Sequence, residues 1–348
     1  MKSSTSKPND SALDVGKLRV LLLGATGTAG RATAQALVDA GHQVSCLVRA
    51  NSTYLDVASP EQSISLPEKI EILIGDVTDH RTLEQTVFPY GRFDALVSCL
   101  ASRTGVAADA WAIDHAAHSA ALAAAKASGV QQMVLLSAIC VQKPLLAFQQ
   151  AKLAFEKELI NSGLTYSIVR PTAFFKSLSG QIERVRHGKA FFLFGDGSLT
   201  ACKPISDADL GRYMEQCLVR SDRHNKILPI GGPGNAMTLR QQGDLLFRLT
   251  GQTPRFKKVP IALFDGIRIV LEQLGRVSNA CARKAELARI GRYYATESML
   301  ALNPDTGCYD ADLTPSTGTD TLEQFYTALL DGSVVVDRGE HAIFKEPA

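Results

Sequence analysis

The stretch Leu18-Arg-Val-Leu-Leu-Leu-Gly24-Ala-Thr-Gly27-Thr-Ala-Gly30 decides the fold of this chain. Its first six residues form an apolar run that is typical of a buried strand, and a helical pattern follows Gly30. The glycines between them have the spacing G-x-x-G-x-x-G. Gly24 permits a tight turn, Gly27 lets a phosphate approach the backbone, and Gly30 lets the helix pack closely on the sheet. A chance glycine-rich turn would not place strand, turn and helix in this order, so the stretch predicts dinucleotide binding.

The residues between these glycines complete the predicted phosphate site. Amides at a helix N-terminus have no partner within the helix and carry partial positive charge, which favours anions. We therefore expect Thr26, Thr28 and Ala29 to contact the cofactor together with the three glycines.

The end of the second apolar run indicates which dinucleotide binds. Arg49 directly follows the run Val44–Val48. The residue after the second strand lies beside the cofactor ribose in such folds. An acidic residue would bond the ribose 2′-hydroxyl and favour NAD, whereas an arginine suits a 2′-phosphate by charge and by its bidentate geometry. The alternative is a solvated surface arginine. We predict NADPH as the cofactor.

The next two strand ends carry further candidates for cofactor contact. Asp76 and Val77 follow the third apolar run and could bond the adenine edge, although an aspartate there is also a common turn or cap residue. Leu100 and Ala101 follow the fourth run, where small residues would leave room for the cofactor.

Apolar runs alternate with helical patterns through the first half of the chain, which predicts a doubly wound parallel α/β sheet of the Rossmann type. The predicted strands are Leu18–Leu23, Val44–Val48, Ile70–Ile74, Ala95–Cys99, Met133–Leu136 and Thr165–Val169. After residue 173 strands become sparse and helices predominate. We expect a flexible arm at 1–17, the NADPH-binding domain at 18–173, and a smaller, mainly helical substrate region at 174–348 that returns a strand near 226–230.

Composition excludes several classes of function. The net charge is +2, from 37 basic and 35 acidic residues, which gives no case for nucleic-acid binding. Seven scattered cysteines without a C-x-x-C pair predict no metal site and a reducing compartment. We expect no stable membrane insertion, because no apolar stretch is long enough to span a bilayer. The location expected is the bacterial cytoplasm, with at most peripheral contact to membranes, and a plastid is disfavoured.

The segment Phe148-Gln-Gln-Ala-Lys152, preceded by Ser137, resembles the short-chain dehydrogenase/reductase superfamily. There a Tyr-x-x-x-Lys pair follows the fifth strand, with a serine upstream. The lysine is kept here, but phenylalanine replaces the tyrosine and cannot exchange a proton with a carbonyl oxygen. The resemblance implies that Ser137 and Lys152 contact the cofactor and that Lys152 is catalytic. The missing tyrosine favours a C=C substrate over a ketone, and the alternative is that Lys152 is a surface lysine.

The sixth strand continues into Arg170-Pro-Thr-Ala-Phe-Phe-Lys176. This segment resembles atypical members of the superfamily, in which it lines the nicotinamide pocket. The resemblance implies that Pro171 and Thr172 contact the cofactor. Phe148, Phe174, Phe175 and Lys176 are the expected substrate-binding residues, although the phenyl rings could equally belong to the core.

Several segments resemble the NADPH-dependent divinyl chlorophyllide 8-vinyl-reductases of phototrophs. They are Leu145–Lys152, Arg170–Leu178, Gly195-Asp-Gly197 with Cys202–Ser206, and Tyr294–Met299. The resemblance implies reduction of the 8-vinyl group of a magnesium-containing divinyl chlorophyllide or protochlorophyllide to ethyl, in chlorophyll or bacteriochlorophyll biosynthesis. Two alternatives stay open: a reductase of another conjugated C=C or quinone-like substrate, and a non-catalytic NADP(H)-binding sensor or assembly factor.

Overall fold

A computed structural model describes residues 16–50, 66–79, 81–275 and 278–334. Most of the expected N-terminal arm therefore lies outside the described residues. The strands are β1 Arg19–Leu23, β2 Gln43–Val48, β3 Glu71–Ile74, β4 Ala95–Ser98, β5 Gln132–Leu136, β6 Thr165–Pro171, β7 Phe191–Phe194, β8 Ala201–Cys202, β9 Lys226–Ile230, β10 Met237–Thr238, β11 Phe256–Val259, β12 Ala301–Leu302 and β13 Tyr309–Asp310.

Seven of these strands form one sheet in the order β3-β2-β1-β4-β5-β6-β9, and every neighbouring pair is parallel. The order reverses between β1 and β4, which is where ligands bind in doubly wound sheets. The predicted α/β fold class is confirmed. Each of the first six strands lies within two residues of its predicted bounds, because apolar runs of this length are buried on both faces.

The helices connect and cover the strands. They are α1 Thr28–Asp39, α2 Phe88–Tyr90, α3 Ala107–Ala110, α4 His118–Ala127, α5 Ala147–Ile160, α6 Phe175–Leu178, α7 Ile182–Arg186, α8 Asp207–Val219, α9 Leu239–Thr250, α10 Ala262–Gly275, α11 Asn279–Thr296 and α12 Leu322–Leu330. A π-helical turn, Trp111–Ala117, joins α3 to α4. Within the described ranges, no helix combines the length and apolarity that crossing a bilayer requires.

The core has one apolar cluster on each face of the sheet. Val20 and Leu22 of β1 point to the side that α1 and α8 cover, where they pack in one cluster with Leu37 and Leu210. Leu21 points to the opposite side, into the cluster that includes Phe155 of α5. The alternation along β1 follows from the two-residue period of a strand, and it fixes the end of β1 rigidly between two layers of helices.

The second half of the chain returns to the sheet twice. Strand β9 pairs with β6, and α8 packs so closely on α1 that a Cβ added at Gly211 would lie 2.4 Å from the carbonyl oxygen of Ala32. The remaining elements build a separate apolar cluster between α6, α7, α9 and α12. The dinucleotide-binding layer therefore includes α8 and β9 as well as residues before 174.

Candidate active site

The glycine loop joins β1 to α1 at the point where the strand order reverses. Gly24 has a left-handed φ of +79°, and a Cβ there would lie 2.7 Å from the carbonyl carbon of Cys99 and from the backbone nitrogen of Leu100. A Cβ at Gly30 would lie 2.0 Å from the carbonyl oxygen of Gly24. The fold itself therefore requires glycine at both positions, because the loop backbone packs against β4 and α1.

Gly27 differs from the other two glycines. Its φ of −75° is open to any residue, and an added Cβ would meet only the carbonyl oxygen of Gly24, at an ordinary 3.5 Å. The fold does not require glycine here. Among the described residues, only that carbonyl oxygen lies near an added Cβ, and a cofactor phosphate can approach the N-terminus of α1 here.

Arg49 lies exposed at the end of β2, beside the expected adenine contact. The backbone N–H of Thr78 donates a hydrogen bond to Asp76 Oδ1, and this bond lowers the pKa of the Asp76 carboxyl with help from the Thr78 hydroxyl and the charge of Arg49. Asp76 and Arg49 therefore face the same space. Val77 is buried in the core, so its backbone is the part that could reach a cofactor.

The end of β4 lies directly beneath the glycine loop. Leu100 is partly buried and its N–H donates to Ser98 Oγ at 3.3 Å, while Ala101 is exposed. The close contact of Gly24 with the backbone of Cys99 and Leu100 brings these predicted cofactor residues together.

Lys152 is held by a buried carboxylate. Its Nζ lies 2.9 Å from Asp114 Oδ1, and the two side chains are 11% and 0% exposed. Ser102 donates its hydroxyl to Asp114 Oδ2 at 2.6 Å and its backbone N–H to Oδ1 at 3.2 Å. Lys152 is therefore not a solvated surface lysine. A fixed ammonium group beside the end of β4 can stabilise negative charge that develops on a bound substrate.

His118 lies one helical turn after Asp114 and completes this buried polar cluster. Its Nε2 lies 2.8 Å from Ser98 Oγ, and its Nδ1 lies 3.0 Å from the carbonyl oxygen of Ile113. Burial lowers the pKa of His118 to about 4, and the positive charge of Lys152 acts in the same direction. The imidazole is therefore neutral at neutral pH.

Protonation of His118 should destabilise the folded protein in acid. The folded pKa of about 4 lies below the ordinary value of 6.5, so the stabilisation is complete above pH 6.5 and is lost as the pH falls towards 4. The loss should reach on the order of 3 kcal/mol. Thermal unfolding of wild type and His118→Gln from pH 7 to pH 4.5 should show the steeper decline in wild type. Equal declines would contradict the buried neutral imidazole.

Ser137 does not occupy the position expected of it. Its hydroxyl donates to Glu156 Oε1 at 2.5 Å, and Glu156 also accepts hydrogen bonds from Arg170. The backbone N–H of Ser137 bonds the carbonyl oxygen of Val169. Both of its hydrogens are therefore used inside the protein, which argues against the contact with the cofactor that the resemblance implies for Ser137.

Phe148 lies on the same helix as Lys152, four residues before it, but it is only 9% exposed. It packs in a small apolar cluster with Cys140 and Tyr293, and a Cβ added at Gly105 would lie 3.4 Å from its ring. Helix α11 therefore covers the position where the superfamily carries its tyrosine. The ring closes that space with apolar atoms, and the substrate contact of Phe148 stays a prediction.

The residues after β6 divide between core and site. Phe175 is 3% exposed and packs on Phe325, with ring centroids 5.4 Å apart, so it lies in the core, which argues against the substrate contact that the sequence predicts. Thr172 donates its hydroxyl to the carbonyl oxygen of Lys203 and is buried, as is Pro171, which argues against a side-chain contact with the cofactor. Phe174 is partly buried and remains a candidate for the substrate wall.

Lys176 lies at the glycine loop and not in the substrate region. Its Nζ donates to Thr28 Oγ1 at 3.1 Å. Lys176 is the second residue of the short helix α6. Its ammonium group faces the predicted phosphate position, so the structure favours a cofactor contact over the substrate contact that the sequence predicts.

Sequence reasoning missed Asp114, His118, Ser98 and Ser102. A signal was present, because Asp114 and His118 stand four apart on one face of a helix otherwise rich in alanine. Their contact with Lys152 was not visible, because it joins two helices. Among the described residues, no group of three or more His, Cys, Asp or Glu side chains could hold a metal ion.

Comparisons with known proteins identify relatives of this chain. A family described as NAD(P)H-binding matches residues 24–220. The chloroplastic divinyl chlorophyllide a 8-vinyl-reductase of Oryza sativa subsp. indica is 47% identical over an alignment of 331 residues that covers 93% of this chain and 82% of that protein. The photosystem II assembly factor Ycf39 of Cyanophora paradoxa is 25% identical, over 71% of this chain and 74% of that protein.

A solved structure shares the fold. The NADPH-dependent quinone oxidoreductase QOR2 of Escherichia coli, in complex with NADPH, has a TM-score of 0.61 and 19% identity, covering 89% of this chain and 99% of that one. At this identity the likeness supports the fold alone.

The expected location in a bacterial cytoplasm is wrong. The Oryza relative and the proteins of the same name from Zea mays, Cucumis sativus and Arabidopsis thaliana are all chloroplastic. Composition and cysteine spacing could not distinguish the two compartments, since both allow reduced, scattered thiols.

Proposed function

The chain belongs to the divinyl chlorophyllide a 8-vinyl-reductase family, and on this basis we propose that it reduces the 8-vinyl group of a divinyl chlorophyllide, or of its protochlorophyllide precursor, to ethyl. NADPH, when bound, supplies the hydride. Hydride addition to the vinyl group leaves negative charge that the conjugated macrocycle can spread. The reaction therefore needs no acid directed at a carbonyl oxygen.

The observation that supports C=C reduction most directly is the combination of an apolar side chain at Phe148 with a lysine held in place at Lys152. Phe148 places no O–H group where the superfamily tyrosine would act, and the ring is packed beneath α11. Lys152 keeps a positive charge in the site through its 2.9 Å contact with Asp114. A site of this kind can stabilise a delocalised anion, but it cannot protonate a ketone oxygen from position 148. This combination favours C=C reduction.

We propose Lys152 as the catalytic residue, acting as a fixed cation that also gives or relays the proton. Its exposed fraction of 11% leaves the ammonium group within reach of a bound substrate while excluding most water. Asp114 and Ser102 hold the side chain in position, so they are positioning residues.

We propose NADPH over NADH as the cofactor, because Arg49 is exposed at the end of β2 where a 2′-phosphate would lie. Arg49→Asp should therefore weaken NADPH binding about ten- to a hundredfold, the usual cost of a lost charge-assisted hydrogen bond, and change NADH binding little. Titrations of the intrinsic fluorescence of each reduced cofactor would measure both effects. Equal losses for NADPH and NADH would rule out this role of Arg49.

The proposed function is tested by incubating the protein with NADPH and divinyl chlorophyllide. We expect the pigment absorption to shift as conjugation with the 8-vinyl group is lost, with one NADPH oxidised for each pigment reduced. Parallel incubations with divinyl protochlorophyllide would give the preferred pigment. NADPH oxidation with quinones but not with pigment would favour the alternative of a quinone-like substrate. Binding without turnover of any acceptor would favour a sensor or assembly factor, the class to which the more distant Ycf39 relative belongs by name.

A further inference from the structure

Lys176 brings a positive charge from the second half of the chain to the glycine loop of the first half. The two residues joined by its 3.1 Å hydrogen bond, Lys176 and Thr28, are 148 positions apart in the sequence. Thr28 is the first residue of α1, where the amides have no helical partner. We propose that Lys176 binds the pyrophosphate of the NAD(P)H cofactor, a contact that the glycine loop alone does not supply.

The charges around the ammonium group favour an anion. Asp207, the first residue of α8, lies within electrostatic range of Lys176 and of Arg31. Burial raises the pKa of the Asp207 carboxyl, and the two positive charges oppose that shift. Arg31 donates to the carbonyl oxygen of Thr26 at 2.7 Å. Two cationic side chains and one partly buried carboxyl therefore lie near the N-terminus of α1. This excess of positive charge favours binding of the negatively charged pyrophosphate.

Packing holds the elements around Lys176 in place. The preceding residue, Phe175, is buried against Phe325, and α8 is held on α1 by the close contact between Gly211 and Ala32. Lysine has three N–H donors, and the hydrogen bond to Thr28 uses one of them. The other two are left for phosphate oxygens, since the described residues take only one.

This inference rests on the dinucleotide part of the proposed function and is independent of the pigment. Full-length protein would be titrated with NADPH and with NADH, without pigment, following cofactor fluorescence. Lys176→Ala should weaken binding of both cofactors by the same factor, about ten- to a hundredfold, because both carry a pyrophosphate. The matched control Lys157→Ala, an exposed lysine of α5, should bind both as wild type does. Arg49→Asp should affect NADPH alone.

Two results would overturn the proposal. One is unchanged affinity in a Lys176→Ala protein whose circular dichroism and thermal midpoint match wild type. The other is a loss confined to NADPH, which would move the contact to the 2′-phosphate. If Lys176→Ala does not fold, Lys176→Arg and Lys176→Gln replace it, and affinity should follow charge, with arginine near wild type and glutamine weak. Absence of NADPH binding by wild type would overturn the dinucleotide assignment together with this inference.

Discussion

Replacing Lys152 with alanine is expected to lower kcat about 10²–10⁴-fold, the usual contribution of a general acid. NADPH affinity should fall much less, because the glycine loop and Arg49 still hold the phosphates. Lys152→Arg separates two roles of the lysine, since arginine keeps the charge and the donors but does not readily give up a proton. Substantial turnover in Lys152→Arg would show that the charge and its position matter and that the proton comes from elsewhere. Steady-state kinetics of vinyl reduction by both variants would measure these effects.

The Lys152→Ala experiment needs a control for stability, because Lys152 is paired with the buried Asp114. Alanine at 152 leaves the carboxylate of Asp114 without its cation, and breaking a buried pair typically costs about 3–5 kcal/mol of stability. A loss of activity in Lys152→Ala could therefore reflect unfolding. The double variant Lys152→Ala, Asp114→Asn removes the unpaired charge and should recover stability but not turnover. Near wild-type turnover in a folded double variant would remove Lys152 from the chemistry.

Replacing Gly27 with alanine is expected to weaken NADPH binding about a hundredfold or more while the protein stays folded. The added methyl group would occupy the space that a phosphate needs, so at least one charge-assisted hydrogen bond is lost. The cost to folding should be only about 1 kcal/mol, that of alanine in place of glycine at a helix N-cap. The structure supports this small cost, because φ is −75° and the nearest atom is 3.5 Å from the added Cβ.

Gly24→Ala is the matched contrast in the same loop. Its φ is +79° and its added Cβ would lie 2.7 Å from backbone atoms of Cys99 and Leu100, so this variant should lose stability first. Thermal unfolding and NADPH titration of both variants would separate the two roles. If Gly27→Ala unfolds as readily as Gly24→Ala, the open space before α1 serves the fold, and its assignment to a phosphate would have to be withdrawn.

The sequence by itself determined the parallel sheet and the position of the phosphate loop. Both depend on short-range patterns: apolar runs such as Leu18–Leu23 can only be buried strands in a sheet covered on both faces, and the glycine spacing after that run is a local property of one turn. Lys152 was predicted from the resemblance of Phe148–Lys152 to the superfamily's Tyr-x-x-x-Lys pair, a spacing that lies within one helix.

Only the tertiary structure decided which side chains face the site. Phe174 and Phe175 are adjacent and alike in sequence, yet Phe175 belongs to the core because α6 turns it towards Phe325. Lys176 reaches Thr28 across 148 positions, and Lys152 meets Asp114 from another helix. Such pairings depend on how helices pack on the sheet, and local pattern carries no information about the contacts that packing creates between distant residues.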